Sequence, residues 1–284
     1  MRYSPAQQLI SIPRLVRVDK PLAAALFTLC GVYLGGGRAT VLSYSALRAA
    51  LAMSLIVAFS FALNDLQDVE ADLSNKPNRP IPSGRISRRF GFICASALAV
   101  AGIAVASTLG VQIAVFGVVL TALSVCYSWR LKGTPLFGNG LVALLIASML
   151  VFGALVAGNV TLAVWVGFAL TSLFAFSTEI IYTIRDEEAD RKAGVRTVAV
   201  RLGRVRAFRV FQLAALSLAC ACVLLWLLGF ASRAYLLAAL VCVILPVVLT
   251  VVVTRNGSQR NVQIATLLMR RISLASFIPI LLLR

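Results

Sequence analysis

Charge is missing from long stretches of this chain, and that absence limits the fold more than any motif does. No Asp, Glu, Lys or Arg occurs between Arg89 and Arg130, between Lys132 and Glu179, or between Arg209 and Arg233. Water-soluble domains carry roughly 25% charged and about 45–50% apolar residues. Here the shares are 13% and 60% of 284 residues. Lipid offers the backbone no hydrogen-bond partner, so apolar crossings are made as helices that satisfy themselves. With about 20 apolar residues per crossing, an all-α integral membrane fold of about nine transmembrane helices is expected, as a single domain over the whole chain.

The apolar runs lie at 21–37, 44–63, 90–109, 111–129, 136–157, 161–182, 207–229, 234–254 and 264–283. Turn formers separate them, among them Gly35-Gly36-Gly37, Lys132-Gly133-Thr134-Pro135 and Asn256-Gly257. The polar, basic segment through Lys20 reads as the entry to the first span and not as a cleaved leader. Arg270 and Arg271 interrupt the last run, so a surface helix followed by a short or tilted span is expected there.

Basic residues set the orientation. With the N-terminus inside and one crossing per span, only Arg38, Arg48, Arg233 and Arg284 of the 27 Lys and Arg fall outside. Arg2, Arg14, Arg17 and Lys20 then lie inside, as the positive-inside rule requires. The expected location is a prokaryotic cell membrane, with the N-terminus and the active site facing the cytoplasm. The net charge of +17 is therefore a topology signal and not a nucleic-acid footprint. Arg88, Arg89, Arg204, Arg206 and Arg209 are expected at the membrane surface among anionic headgroups. Histidine is absent, which removes histidine-based zinc sites and Ser-His-Asp triads. Cys30, Cys94, Cys126, Cys220, Cys222 and Cys242 all sit in apolar runs and read as buried free thiols.

Nine of the ten carboxylates gather in two clusters. One holds Asp65, Asp68, Glu70 and Asp72; the other holds Glu179, Asp186, Glu187, Glu188 and Asp190. Acids beside a bilayer are costly unless paired or metal-bound. The first cluster reads N-D-x-x-D-x-x-x-D from Asn64 to Asp72, and the second Y-x-x-x-D-x-x-x-D from Tyr182 to Asp190. On a continuous helix Asn64, Asp68 and Asp72 stack along one face, as do Asp186 and Asp190. Such like-charge stacks repel, and Mg²⁺ supplies the compensation, being an oxygen-seeking ion usually completed by substrate phosphates. Glu187 and Glu188 point elsewhere and read as solvated.

Four crossings separate the clusters, so both are expected on the cytoplasmic side, facing one cavity. Cations follow each cluster: Lys76, Arg79 and Arg85 in a Pro-rich loop after the first, Arg191, Lys192 and Arg196 after the second. Metal-binding acids with neighbouring cations suit a diphosphate.

Both patterns resemble the signatures of the UbiA superfamily of intramembrane prenyltransferases, and the resemblance runs nearly the whole chain. Arg17-Val18-Asp19-Lys20-Pro21 resembles the entry to the first helix in members with aromatic acceptors. The segment from Asn75 to Ser87 is most similar to digeranylgeranylglyceryl phosphate synthases and chlorophyll synthases, as are Tyr127-Ser128, Leu131-Lys132 and Gly138-Asn139. The resemblance implies helices around a central cavity with a cytoplasmic-side cap. It implies that Asp68 and Asp72 hold one Mg²⁺ and that Asp186 and Asp190 hold a second, with Asn64 and Asp65 in support. Lys76, Arg79 and Lys132 would bind the diphosphate, with Arg17 and Asn139 beside them. Tyr127 and Tyr182 would line the pocket near the allylic carbon.

The implied reaction transfers a prenyl group from an allylic isoprenyl diphosphate to a lipophilic acceptor. Loss of the diphosphate is eased by metals and cations that stabilise its charge. The cation left behind needs a chamber without water. Phe59, Phe61, Phe174 and Phe176 are candidates to line the tail tunnel. An isoprenoid glyceryl phosphate hydroxyl is the acceptor expected from the Asn75–Ser87 loop, and an aromatic quinone precursor is the alternative from Arg17–Pro21. A phosphoribosyltransferase or terpene cyclase of the same fold, and from another class a cation transporter, are the remaining readings. Transporters place ionisable groups near the midplane on broken helices, whereas these acids fall at helix ends.

Overall fold

The computed structural model describes residues 5–283, so Arg2 and Arg284 of the topology count lie outside the described residues. Among the described residues every regular element is helical. The chain divides into two compact units, residues 1–130 with 152–159, and 131–151 with 160–284.

In the first unit the principal elements are α1 (Asp19–Gly36), α2 (Tyr44–Gln67), α3 (Val69–Asn75), α4 (Arg88–Ser107) and α5 (Val111–Cys126). Helix α2 is central: its main neighbours are α4 and α1, with α5 beside them. Small residues make that close packing possible. Ala46, Ala49 and Ala52 are fully buried on α2, and small side chains let helix backbones approach in a membrane, where apolar burial alone gives no drive. An added Cβ on Gly102 of α4 would lie 2.9 Å from Ile56 Cγ1 and 3.2 Å from the Ala52 carbonyl oxygen. The hydroxyls of Ser43 and Ser87 accept from the Ala46 and Phe90 amides, which starts α2 and α4. Helix α5 runs on into a π-turn at Tyr127–Leu131.

Helix α6 (Phe137–Val156) belongs to the second unit as far as residue 151, and its last turns belong to the first. At Gly153 the α1 backbone comes so near that an added Cβ would sit 1.9 Å from the Thr28 carbonyl oxygen.

In the second unit α7 (Leu162–Arg185) leads into α8 (Glu187–Lys192) and α9 (Arg204–Leu227). Helix α10 (Arg233–Ala239) continues through a π-turn, Leu240–Ile244, into α11 (Leu245–Val253), and α12 (Gln259–Ala275) follows. The π-turn lies just before Pro246, which has no amide hydrogen to donate to the preceding turn. Helix α7 packs mainly on α9 and α12 around Ile180, Ile181, Ile184, Phe211 and Tyr235, all fully buried. Val262, Ala265, Met269 and Ile272 form the buried stripe of the amphipathic α12.

Among the described residues eight helices are long and apolar enough to cross a membrane, from Tyr44–Gln67 to Gln259–Leu281. They correspond to the last eight of the nine expected spans. The first expected span is helical too, but α1 spends its opening turn on Asp19, Lys20 and Pro21 and is only 18 residues long. The last span runs through Arg270 and Arg271 as one helix that breaks at Ser276. Of the six cysteines expected to be buried, only Cys30 and Cys222 are; Cys94 and Cys242 are half-buried. Cys126 and Cys220 are exposed, because apolar residues on a membrane helix face lipid as readily as the core. Large apolar side chains such as Trp129, Phe137 and Leu162 are likewise exposed.

Candidate active site

The first acidic cluster lies where α2 ends. Helix α2 stops at Gln67, Asp68 adopts φ −83° and ψ 3°, and α3 starts at Val69. The expected continuous stack of Asn64, Asp68 and Asp72 is therefore split over two elements. Hydrogen bonding persists across the break: the Asp68 amide donates to the Asn64 carbonyl at 3.0 Å, and the Asp72 amide to the Asp68 carbonyl at 2.8 Å. Aspartate favours helix ends over interiors, because its short carboxylate competes for backbone donors, and stacked carboxylates repel. The break falls on the middle acid for that reason.

Arginines meet these carboxylates. Asp65 is 1% exposed at its side chain, and its Oδ1 accepts from Arg17 Nη2 at 2.6 Å and faces Arg79 Nη1 at 3.2 Å. The same Arg79 nitrogen pairs with Asp72, also buried. Arg17 has φ 50°, a left-handed value unusual outside glycine. Its guanidinium lies 5.0 Å from the Phe61 ring centroid. Arg79 reaches the acids because its loop is folded and anchored. Ile81 and Ile86 are buried beneath it, and the Ile86 amide donates to the Pro80 carbonyl at 2.9 Å. Lys76 is exposed at the end of α3. Ser128, in the π-turn, donates to Asn64 Oδ1, which ties the motif to α5, and Tyr127 beside it is half-buried. Such π-turns are rare and often functional. Glu70 is an exposed partner of Arg88.

The second cluster repeats the design. Helices α2 and α7 each have 24 residues. Asp186 has φ −94° and ψ 6° between α7 and α8. Its amide donates to the Tyr182 carbonyl at 3.0 Å, and the Asp190 amide to the Asp186 carbonyl at 2.9 Å. Here too the expected single helix is broken at the first acid. Arg185 grips Asp186 with both arms of its guanidinium, Nε to Oδ1 at 2.7 Å and Nη2 to Oδ2 at 2.6 Å. It also lies 4.7 Å from the Tyr182 ring centroid.

Glu187 is tied down and not simply solvated: it pairs with Arg191 at 2.8 Å and Arg204 at 3.5 Å. Arg204 also donates to Gln259 Oε1 at 2.8 Å and to the Gly257 carbonyl at 3.2 Å, and Gln259 donates to the Arg185 carbonyl at 3.0 Å. Arg204, expected as a surface charge, instead joins the ends of α7, α8, α9 and α12. A cleft of about 310 Å³ opens among Arg185, Glu187, Arg191, Arg204 and Gln259. Glu188 is exposed, and the hydrogen bond from Lys192 holds its carboxyl below the usual range. Lys132 and Asn139 are half-buried at the start of the second unit. Their turn is tight: a Cβ on Gly138 would lie 2.3 Å from the Leu131 carbonyl oxygen.

Phe59 and Phe174 are packed in the cores of their own units. Phe176 borders the second core, and Phe61 stacks on Arg17. Sequence reasoning missed Arg185 and Gln259, because an arginine next to an acid and a lone glutamine carry no spacing signal. Among the described residues no three Asp, Glu, Cys or His side chains gather as a ready metal cage. Each motif offers instead hard carboxylate oxygens already facing guanidinium groups. That donor set suits an ion whose shell is completed by phosphate oxygens.

Known proteins resemble this chain in sequence and in fold. A digeranylgeranylglyceryl phosphate synthase of Methanopyrus kandleri is 36% identical over 217 residues, which is 76% of this chain and 79% of that one. One from Methanococcus aeolicus is 31% identical over 248 residues, covering 86% and 87% of the two chains. Among solved structures, a UbiA homolog from Archaeoglobus fulgidus bound to GPP and Mg²⁺ has the same fold. Its TM-score is 0.72 at 19% identity, over 95% of this chain and 99% of that one. A UbiA homolog from Aeropyrum pernix K1, in its apo form, gives 0.73 at 18% identity, over 92% and 98%. The pattern of the UbiA prenyltransferase family matches residues 24–274, across both acidic motifs. Eight apolar helices, two Asp-centred helix breaks and that match together make this chain an integral membrane prenyltransferase of the UbiA prenyltransferase family.

Proposed function

We propose that this enzyme transfers a prenyl group from an allylic isoprenyl diphosphate to a hydroxyl of an isoprenoid glyceryl phosphate, using Mg²⁺. The observation that carries the acceptor is the relationship to digeranylgeranylglyceryl phosphate synthases, 36% identical over 79% of one relative's length. The Archaeoglobus fulgidus homolog with GPP and Mg²⁺ supports the donor and the metal. Both units serve one transfer domain, since the family match spans them.

In this reading Asp68 and Asp72 hold one Mg²⁺, and Asp186 and Asp190 a second. When bound, the metal would neutralise charge on the departing diphosphate. Lys76 and Arg79 from the first unit, and Lys132 and Asn139 from the second, take the role of binding diphosphate oxygens. Arg17 and Asp65 hold Arg79 in place through the pairing at Asp65, and Asn64 is steadied by Ser128. Tyr127 and Tyr182 face the allylic carbon. The site opens to the cytoplasm of a prokaryotic cell. With no histidine in the chain, the acceptor proton leaves to an aspartate, a tyrosine or the released diphosphate. The Arg17–Pro21 segment, which in sequence favours an aromatic acceptor, supplies the ion pair to Asp65, a role any acceptor needs.

The test incubates purified protein with allylic diphosphates of several lengths and a panel of acceptors, identifying products by mass. A prenyl ether on the glyceryl phosphate is expected. Coupling only to an aromatic ring would overturn the acceptor, and ion flux without diphosphate release would indicate transport. Asp68→Ala and Asp186→Ala are each expected to abolish turnover while membrane expression holds. Near-native activity in either variant removes that aspartate from the metal site.

A further inference from the structure

We propose that Arg185 is a placeholder cation: it occupies Asp186 until the metal arrives and then turns its guanidinium to the diphosphate. The inference rests on the reading of Asp186 as a metal ligand given above. No part of the motif pattern assigns a role to Arg185. The geometry does, because both carboxylate oxygens of Asp186 are taken up by Arg185 at 2.7 and 2.6 Å. A metal that binds Asp186 on the side facing Arg185 therefore competes with that fork for the same oxygens.

The arginine is built to survive the exchange. Its guanidinium stacks on the Tyr182 ring, 4.7 Å from the centroid, one helical turn before Asp186. That contact is independent of the carboxylate, so losing Asp186 does not release Arg185 into solvent. The planar guanidinium presents paired donors that match two oxygens of a phosphate as well as two of a carboxylate. The pair is about one-third exposed, with 34% and 30% of the two side chains open to solvent, so incoming ligands reach it. The Arg185 carbonyl is held by Gln259 at 3.0 Å, which keeps the backbone still while the side chain changes partner.

The first unit carries an independent example. Arg79 pairs with Asp72 and Asp65, and Asp65 has Arg17 as a second partner. In each motif an arginine thus neutralises an acid. A bare aspartate pair would otherwise attract divalent cations without substrate, and the repulsion between its members would strain the helix end. With arginine in place, metal alone competes with a resident counter-ion. Metal plus diphosphate does not, because the displaced arginine gains a new anion. Metal and diphosphate binding thereby become positively coupled, and such coupling is reciprocal.

The test measures Mn²⁺ retained by the full chain in lipid nanodiscs in equilibrium dialysis, with and without inorganic pyrophosphate in both chambers, read against empty nanodiscs. Wild type is expected to bind Mn²⁺ weakly alone and at least roughly tenfold more tightly with pyrophosphate, the scale of one charge-assisted contact regained. Arg185→Gln is expected to bind Mn²⁺ alone about threefold or more tightly than wild type, a shift typical of removing a partly exposed ion pair. The same variant should lose most of the gain from pyrophosphate. Arg185→Lys, which keeps the charge but not the fork, should fall between the two and guards against a misfolded glutamine variant. If both variants change only the melting temperature and leave both Mn²⁺ affinities as in wild type, Arg185 is structural and the proposal fails. Asp186→Asn separates the underlying reading: unchanged Mn²⁺ binding in that variant rejects Asp186 as a ligand, whatever Arg185 does.

Discussion

At the scale of single residues, the two motifs use aspartates for different ends. Asp65 is buried between two arginines, whereas Asp68 is half-buried at a helix break. Removing a buried charge leaves its partners uncompensated, which costs several kcal/mol for a fully buried pair. Arg17 and Arg79 retain 31% and 19% exposure, so the penalty for Asp65→Ala should be about 1–3 kcal/mol. Thermal melting in detergent is expected to show that drop for Asp65→Ala and little change for Asp68→Ala, although Asp68→Ala loses turnover. Equal melting curves for wild type and Asp65→Ala would show that the arginines are satisfied elsewhere. The aspartates were legible in the sequence because acids are scarce in an apolar chain. Their partners were not, since Arg17 and Asp65 lie 48 residues apart and only folding reveals which cation meets which acid.

At the scale of elements, periodicity and charge depletion located the long helices well, and turn formers marked most of their ends. Breaks inside the motifs escaped notice, because N-D-x-x-D-x-x-x-D is compatible with one unbroken helix and the backbone bonds run through Asp68. The π-turn that carries Tyr127 and Ser128 also left no periodic trace. Gly153 offers a test of helix packing. Its Cβ would meet the Thr28 carbonyl oxygen at 1.9 Å, a backbone atom that cannot rotate away. Gly153→Ala should destabilise the protein by about 1–3 kcal/mol, as overpacked sites do. The readout is the detergent melting temperature, and a change within error would mean that α1 and α6 can part at no cost. Gly138→Ala, whose Cβ would lie 2.3 Å from the Leu131 carbonyl, should cost activity more than stability, since the displaced turn carries Lys132 and Asn139.

At the scale of the whole molecule, the basic residues predict which loops face which compartment. A single cysteine placed at Lys76, in a background with the native cysteines replaced, should react with a membrane-impermeant maleimide only after the cells are opened. A cysteine placed at Arg233 should react in intact cells. The reverse pattern would invert the orientation argued from the positive-inside rule. Membrane embedding was readable from composition alone, and the family resemblance from the two acidic motifs and the loops that follow them. The division into two compact units was not, because uncharged runs look alike whichever neighbours they acquire. Both 24-residue helices that deliver the acids end in one residue with ψ near zero, at 3° for Asp68 and 6° for Asp186. Each long rod thus changes direction at one aspartate while the amide hydrogen bonds on either side of it stay made. The acid at the corner is aimed by two torsion angles that the bonded turns before and after it hold in place.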